Sequence, residues 1–305
     1  MASHSGTKAV LAAMVANFGI ALAKFAGFAI TRSSAMLAEG VHSVADTSNQ
    51  ALLLFGSRRA KKPPTDEHPF GYGRERYFWS FVVALVLFTA GASFAAYEGI
   101  MKLRNPHEVN NVEWAVAILI FGLILETLSF RTAIIEGNRA RGTMSWSQFI
   151  FRSREPELPV VLLEDAGALA GLLIALGAIL TSHWTGDPKW DGIGTLTIGI
   201  LLGIIALVLA REMHSLLIGE AAKGADLDAI TIAIQKVDQV DRLAYLDTQH
   251  IGPEEILIGA QVIFKSELNS TETTTAMNEI EKNIRLAVPT AGKIFVKPVP
   301  SKLQE

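Results

Sequence analysis

Six runs of about twenty apolar residues, set between short charged segments, dominate this chain; they fall at roughly 8–30, 34–56, 78–101, 112–134, 159–181 and 191–213. A helical run of that length matches the ~30 Å hydrocarbon core of a bilayer. Lipid offers the backbone no hydrogen-bond partners, so each run must satisfy its own polar groups as a helix. The predicted fold is a membrane all-α six-helix transmembrane domain over residues 1–216. Half of the 305 residues are apolar, which fits a polytopic protein.

Arginine and lysine placement predicts the orientation. The segment after the second run carries Arg58, Arg59, Lys61, Lys62, Arg74 and Arg76, and the one after the fourth carries Arg139, Arg141, Arg152 and Arg154. The opposite loops hold only Arg32, then Lys102 and Arg104, then Lys189. The positive-inside rule therefore puts both termini in the cytoplasm. MASHSGTKAV leads into the first run without a cleavable-signal pattern, so that span is expected to be retained, in a plasma membrane of bacterial inner-membrane type. There are no cysteines, which excludes disulfides and thiolate metal sites. Nothing in the composition points to nucleic acid.

Residues 217–305 read as a small cytoplasmic α+β domain of order α-β-β-α-β. Leu227, Ile230, Ile234 and Val237 recur at helical spacing, and Ile256, Ile258, Ala260, Val262 and Phe264 alternate as in a strand. Gly252-Pro253-Glu254-Glu255 is a turn between strands. A helix is expected over about 271–287, with hydroxyls of STETTT capping it, and Gly292–Pro298 reads as a last strand. A domain of this size buries little surface alone, so dimerisation is expected.

The second run, SSAMLAEGVHSVADTSNQALLLF, carries Glu39, His42 and Asp46 at offsets of three and four, which place them on one helical face. Ionisable groups within a bilayer are costly unless paired, hydrated or ion-bound. A histidine beside carboxylates points to a divalent transition metal. The bland alternative for His42 and Asp46 is a buried hydrogen-bond network. Glu39, nearer the outer end, reads as a water-facing gate or access group. The fifth run adds Glu164 and Asp165, which differ by about 100° around a helix, so one binds and one pairs. Asn17 and Lys24 share a face of the first run and can reach this centre; an interhelical salt bridge or snorkelling is the expected role of Lys24. Glu126 in the fourth run fits either an ion pair or a proton relay.

TRSSAMLAEGVHSVAD (31–46), a TGSxAxxAxxxHSxxD-like segment, is followed by HPFGYGRE (68–75), six spans and a tail ending IFVKP. The chain so resembles the cation diffusion facilitator (cation efflux) family, in a divergent branch with LLED in the fifth helix. The resemblance implies a homodimer exchanging a divalent cation for protons at ligands on the second and fifth helices. His42 and Asp46 match the second-helix pair, and Asp165 matches the acidic member on the fifth. The family's other fifth-helix ligand falls on Val161, which cannot ligate; water, Glu164, Glu39 or Asn17 are the candidate replacements. A loop site found in some members keeps Asp66 and His68 here but has Tyr72 for its second histidine. The tail offers His250, with Ala244 and Ala260 where ligands would align, so it reads as a dimerisation module without a metal cluster. His214 reads as interfacial.

The resulting expectation is a proton-coupled divalent cation exporter in the lipid bilayer, alternating access around a site between the second and fifth helices, and not an enzyme. Neutral imidazole and carboxylate bind metal, so protons and metal compete. Zinc is the expected cargo, with manganese, iron(II) and cobalt also compatible, and no bound cofactor is expected. Two other classes stand against it. An intramembrane metal-dependent hydrolase would use Glu164 as base, but no HExxH motif is present. A membrane scaffold with a partner-binding tail would not need His42 or Asp46.

Overall fold

A computed structural model describes residues 3–300, with side chains from residue 17 onward except Arg152. The retained lead-in expected at the N-terminus lies outside the described side chains. The chain divides into two compact units, Met1–Arg58 with Arg76–His214, and Arg59–Glu75 with Ser215–Glu305. The coarse expectation, a helical membrane region followed by a small α/β domain, is what the structure contains.

The first unit holds α1 (Ser3–Thr31), α2 (Ser34–Ala60), α3 (Glu75–Arg104), α4 (Val112–Arg141), a short α5 (Trp146–Arg152), α6 (Glu157–Thr185) and most of α7 (Lys189–Ile218). Among the described residues, α3, α4, α6 and α7 are long and apolar enough to cross a membrane. The six runs thus resolve into four such helices and two others. Only the apolar stretch Asn17–Thr31 of α1 has described side chains, and α2 is made polar by the stripe that singles it out.

Helix α2 starts abruptly after Arg32, whose φ of 57° is left-handed, as in the commonest way of ending a helix. Its first turn is held from α7. Asp191 accepts from Ser33 Oγ at 2.6 Å and from the Ser34 backbone N–H at 2.9 Å. Lys102 of α3 closes on the same carboxylate at 3.4 Å. Within α3, Leu87–Ser93 is a π-helical segment, the kind of widened turn found mostly at functional sites. Gly91 lies in it, and a Cβ there would stand 3.9 Å from His42 Nδ1. Helix α5 was not anticipated from hydropathy, since a seven-residue piece shows little periodicity; a Ser145–Gln148 capping box starts it.

The second unit is the expected α-β-β-α-β arrangement: α8 (Gly224–Gln235), β1 (Val240–Gly252), β2 (Glu255–Phe264), α9 (Ser270–Ala287) and β3 (Ala291–Pro298). Sheet order is β1-β2-β3, with β1 antiparallel to β2 and β2 parallel to β3. Ile256, Ile258, Ala260 and Val262 pack against Ile230 and Ile234 of α8 and Ile280 and Ile284 of α9. The cap of α9 is Asn269, one residue before the threonine-rich stretch, paired in a capping box with Glu272. Asparagine outranks threonine at that position.

The basic segment 59–75 groups with this second unit. A Cβ on Gly73 would meet Ile251 O at 2.7 Å, so the backbones abut and only glycine fits.

Candidate functional site

Glu39, His42, Asp46 and Asn49 follow one another at spacings of three and four along α2, and all are buried. Their counterparts lie on α6, where Glu164 and Gly171 are also two turns apart. Asp46 and Glu164 are in side-chain contact, and a Cβ on Gly171 would lie 2.5 Å from Glu39 Oε1. The paired positions run in opposite senses, so α2 and α6 pack antiparallel here. The missing side chain of Gly171 permits the close approach, while Gly167 faces Ile205 of α7.

His42 is 1% exposed, and neither ring nitrogen has a hydrogen-bond partner. Its Nδ1 lies 3.5 Å from Asp46 Oδ1. Asp46 Oδ1 and Asn49 Oδ1 are likewise buried without a hydrogen bond. Asn49 donates through Nδ2 to Glu164 Oε1 at 2.6 Å. Glu39 Oε1 is a fifth such atom on the same stripe, and since a buried polar atom is paired in the great majority of cases, five orphans along one stripe demand an explanation.

Four of the expected residues have the following surroundings. Asp165 is engaged by α4: its Oδ2 accepts from Ser129 at 3.1 Å, and it lines a cavity of about 520 Å³ with Gln50, Arg76, Glu157 and Val161. Glu164 takes the α2-facing position instead, because neighbours on a helix diverge by about 100°. Glu39 does not face water. It is fully buried, and its Oε2 accepts from Lys24 Nζ at 3.0 Å, which fulfils the salt-bridge role expected of Lys24. Asn17 is half-buried on α1 and makes no hydrogen bond to this cluster among the described residues.

His42, Asp46 and Glu164 are thus brought together with Asn49, while Asp165 and Asn17 are not. Among the described residues no three His, Asp or Glu side chains converge into a ready-made metal cluster. Asn49 went unnoticed in the sequence although it stands three residues after Asp46 and continues the same stripe. Ser43 and Ser129 were missed because lone serines in apolar helices usually bond back to their own carbonyls.

The weaker candidates are all elsewhere. Asp66 and His68 lie on an exposed segment, where the His68 ring meets the Tyr72 ring edge-on at 4.8 Å. Tyr72 therefore stacks on His68. His250 is buried in β1, its Nδ1 3.3 Å from Gly252 O, and His214 is exposed.

The profile of the cation efflux transmembrane domain matches residues 10–218. Metal tolerance protein C4 of Arabidopsis thaliana is 31% identical over 263 residues, which cover 86% of this chain and 58% of that protein. The mitochondrial proton-coupled zinc antiporter SLC30A9 of Homo sapiens is 29% identical over 284 residues, 90% of this chain and 50% of that protein. The chain spans about half the length of the curated relatives it matches. A solved nickel form of a MamM CTD covers 26% of this chain and 100% of that one, at 12% identity and a TM-score of 0.25.

Proposed function

This chain belongs to the cation efflux family, and from that footing we propose that it is a proton-coupled divalent cation antiporter with zinc as cargo. Relatives named as zinc antiporters support the choice of ion, and so does a donor set of one imidazole with carboxylates and no thiolate. Manganese, iron(II) and cobalt use overlapping donors, and geometry decides among them. Family membership sets the hydrolase reading aside.

The observation that carries the proposal is the His42 imidazole, buried with neither nitrogen hydrogen-bonded and Nδ1 3.5 Å from Asp46 Oδ1. A structural histidine in a helical bundle would be expected to spend at least one nitrogen on a hydrogen bond. Here both stay available. His42 and Asp46 supply donors from α2 and Glu164 supplies one from α6, in place of the ligand lost at Val161. Asn49 orients Glu164, and Asp165, engaged by Ser129 of α4, stands outside this donor set. The cavity of about 520 Å³ that Asp165 lines is bordered on α2 by Gln50, the residue after Asn49.

Exchange follows from competition for the same atoms. Carboxylate and neutral imidazole bind the cation only when deprotonated, so ion entry releases protons and protons from the other side expel the ion. The protein contributes two walls, α2 and α6, that shift relative to the rest of the bundle. In this reading six spans cross a plasma membrane of bacterial inner-membrane type, both termini are cytoplasmic, residues 1–216 transport, and residues 217–305 pair two copies in a homodimer.

Flux into proteoliposomes under an imposed pH gradient tests it, with zinc, manganese, iron(II) and cobalt compared. Zinc uptake that collapses when the gradient is dissipated is expected. Gradient-independent behaviour, or no flux of any ion, sinks the proposal.

A further inference from the structure

Lys24 lies at zero exposure in the last third of α1. Its Nζ donates to Glu39 Oε2 at 3.0 Å and to Ser43 Oγ at 2.7 Å, both on α2. The pair is seated where four helices meet. Gly171 of α6 leaves room for the Glu39 carboxylate, and a Cβ on Gly122 of α4 would come to 3.7 Å from Lys24 Cε.

The placement along α2 matters more than the pairing. Glu39 precedes His42 by three residues, about 4.5 Å along the axis, and Asp46 by seven, about 10 Å. An ammonium is thus fixed between α1 and α2 within two turns of the groups that would hold the cargo. Ser43, its second acceptor, is the residue next to His42. In the low-dielectric interior salt does not screen such charges as it does at a surface. A divalent ion arriving at His42 and Asp46 meets this positive charge, offset by Glu39.

Glu39 is not saturated by Lys24. Its second oxygen, Oε1, is buried and has no hydrogen bond. A pair kept only to fasten α1 to α2 would do best with every lone pair satisfied, because a half-satisfied buried ion pair costs stability.

Resting on the antiporter reading above, we propose that Lys24 and Glu39 form a resident counter-charge that sets how tightly the site holds a divalent cation. Lys24 weakens the hold so that the ion can leave, and Glu39 limits that weakening. Neither touches the cargo: both are positioning residues that act through charge.

The charge account predicts an order that a fastening role does not. Zinc affinity of the 305-residue chain in detergent, measured by titration with zinc chloride at fixed pH and ionic strength, would be compared between wild type and four variants. Lys24→Gln uncovers Glu39 and is expected to tighten zinc binding by about ten- to a hundredfold, while slowing turnover in proteoliposomes. Glu39→Gln is expected to weaken binding by a similar factor. The double variant, which restores the net charge, should return to within about threefold of wild type. Lys24→Arg keeps the charge and should keep the affinity.

If Glu39→Gln fails to fold, Lys24→Gln against the double variant still decides, since only charge makes the second loss undo the first. Parallel weakening in Lys24→Gln and the double variant would overturn the proposal, as would an unchanged affinity in Lys24→Gln. A wild-type protein that binds no zinc would instead overturn the antiporter reading and this inference with it.

Discussion

Two buried charged clusters in the membrane unit make an instructive pair. Around Asp191, at the start of α7, Ser33, the Ser34 backbone and Lys102 all bond to one carboxylate, and His107 lies 2.7 Å from Lys102 Nζ. Around His42 and Asp46, on α2, comparable burial leaves both imidazole nitrogens and carboxylate and amide oxygens without hydrogen bonds. Both clusters desolvate charge. Only the first recovers that cost through the protein's own atoms, which is what a structural network needs. The difference separates a clamp from the proposed site, and it cannot be seen in residue type, since each has an acid, a base and small polar neighbours.

The sharpest break would come at the site. His42→Ala or Asp46→Ala is expected to lower zinc flux in proteoliposomes by about a hundredfold or more, exceeding the loss seen when only an outer partner of a metal site is removed. For His42→Ala, the thermal midpoint in detergent should stay close to that of wild type, because no hydrogen bond is lost with the ring. A falling midpoint with retained flux would reverse the assignment of the two clusters.

At the clamp the pattern should invert. Asp191→Ala strands Lys102 and is expected to cost about 3–5 kcal/mol, read from the denaturation midpoint, with the zinc affinity of the folded fraction kept. Should Asp191→Ala unfold like wild type, full satisfaction would not mark a structural role here.

Within α6 the same logic ranks neighbours. Glu164→Gln should weaken zinc binding by about tenfold, whereas Asp165→Asn keeps a partner for Ser129 and should change it by no more than about threefold. Equilibrium titration of both proteins decides whether the side chain facing α2 or the one matching the family pattern does the binding.

The smallest effect is expected at the π turn of α3. Gly91→Ala adds a methyl 3.9 Å from His42 Nδ1 and 3.3 Å from Leu202 Cδ1. Overpacking by one methyl in a helix able to shift should cost about 1 kcal/mol and reduce flux by a few-fold. An unaltered Kd for zinc alongside it would show that the turn shapes access and not ligation.

Much of this was legible from the chain. The period-two run from Ile256 to Phe264 became β2 with its alternate residues in the core, because a strand's faces alternate whatever its partner. The stripe from Glu39 to Asp46 was legible for a similar reason, since a helix fixes which residues share a face. What stayed hidden was the partner of each face. Glu39 was read as water-facing from its depth in the run, yet α1 lays Lys24 against it. Asp165 was favoured over Glu164 by family pattern, yet the rotation of α6 sends it to Ser129. The N-terminal clamp was missed because Asp191 and Ser33 are 158 residues apart.

Periodicity and polarity, which are local properties, determined that this chain has a helical membrane region, a small α/β tail and a polar stripe on α2. Only the tertiary structure decided which polar groups are satisfied. Satisfaction depends on atoms brought together from distant helices to within about 3 Å, and sequence spacing constrains a helix's own face but not what is packed against it. That is why the Asp191 clamp and the His42 site look alike in the sequence and differ in the fold.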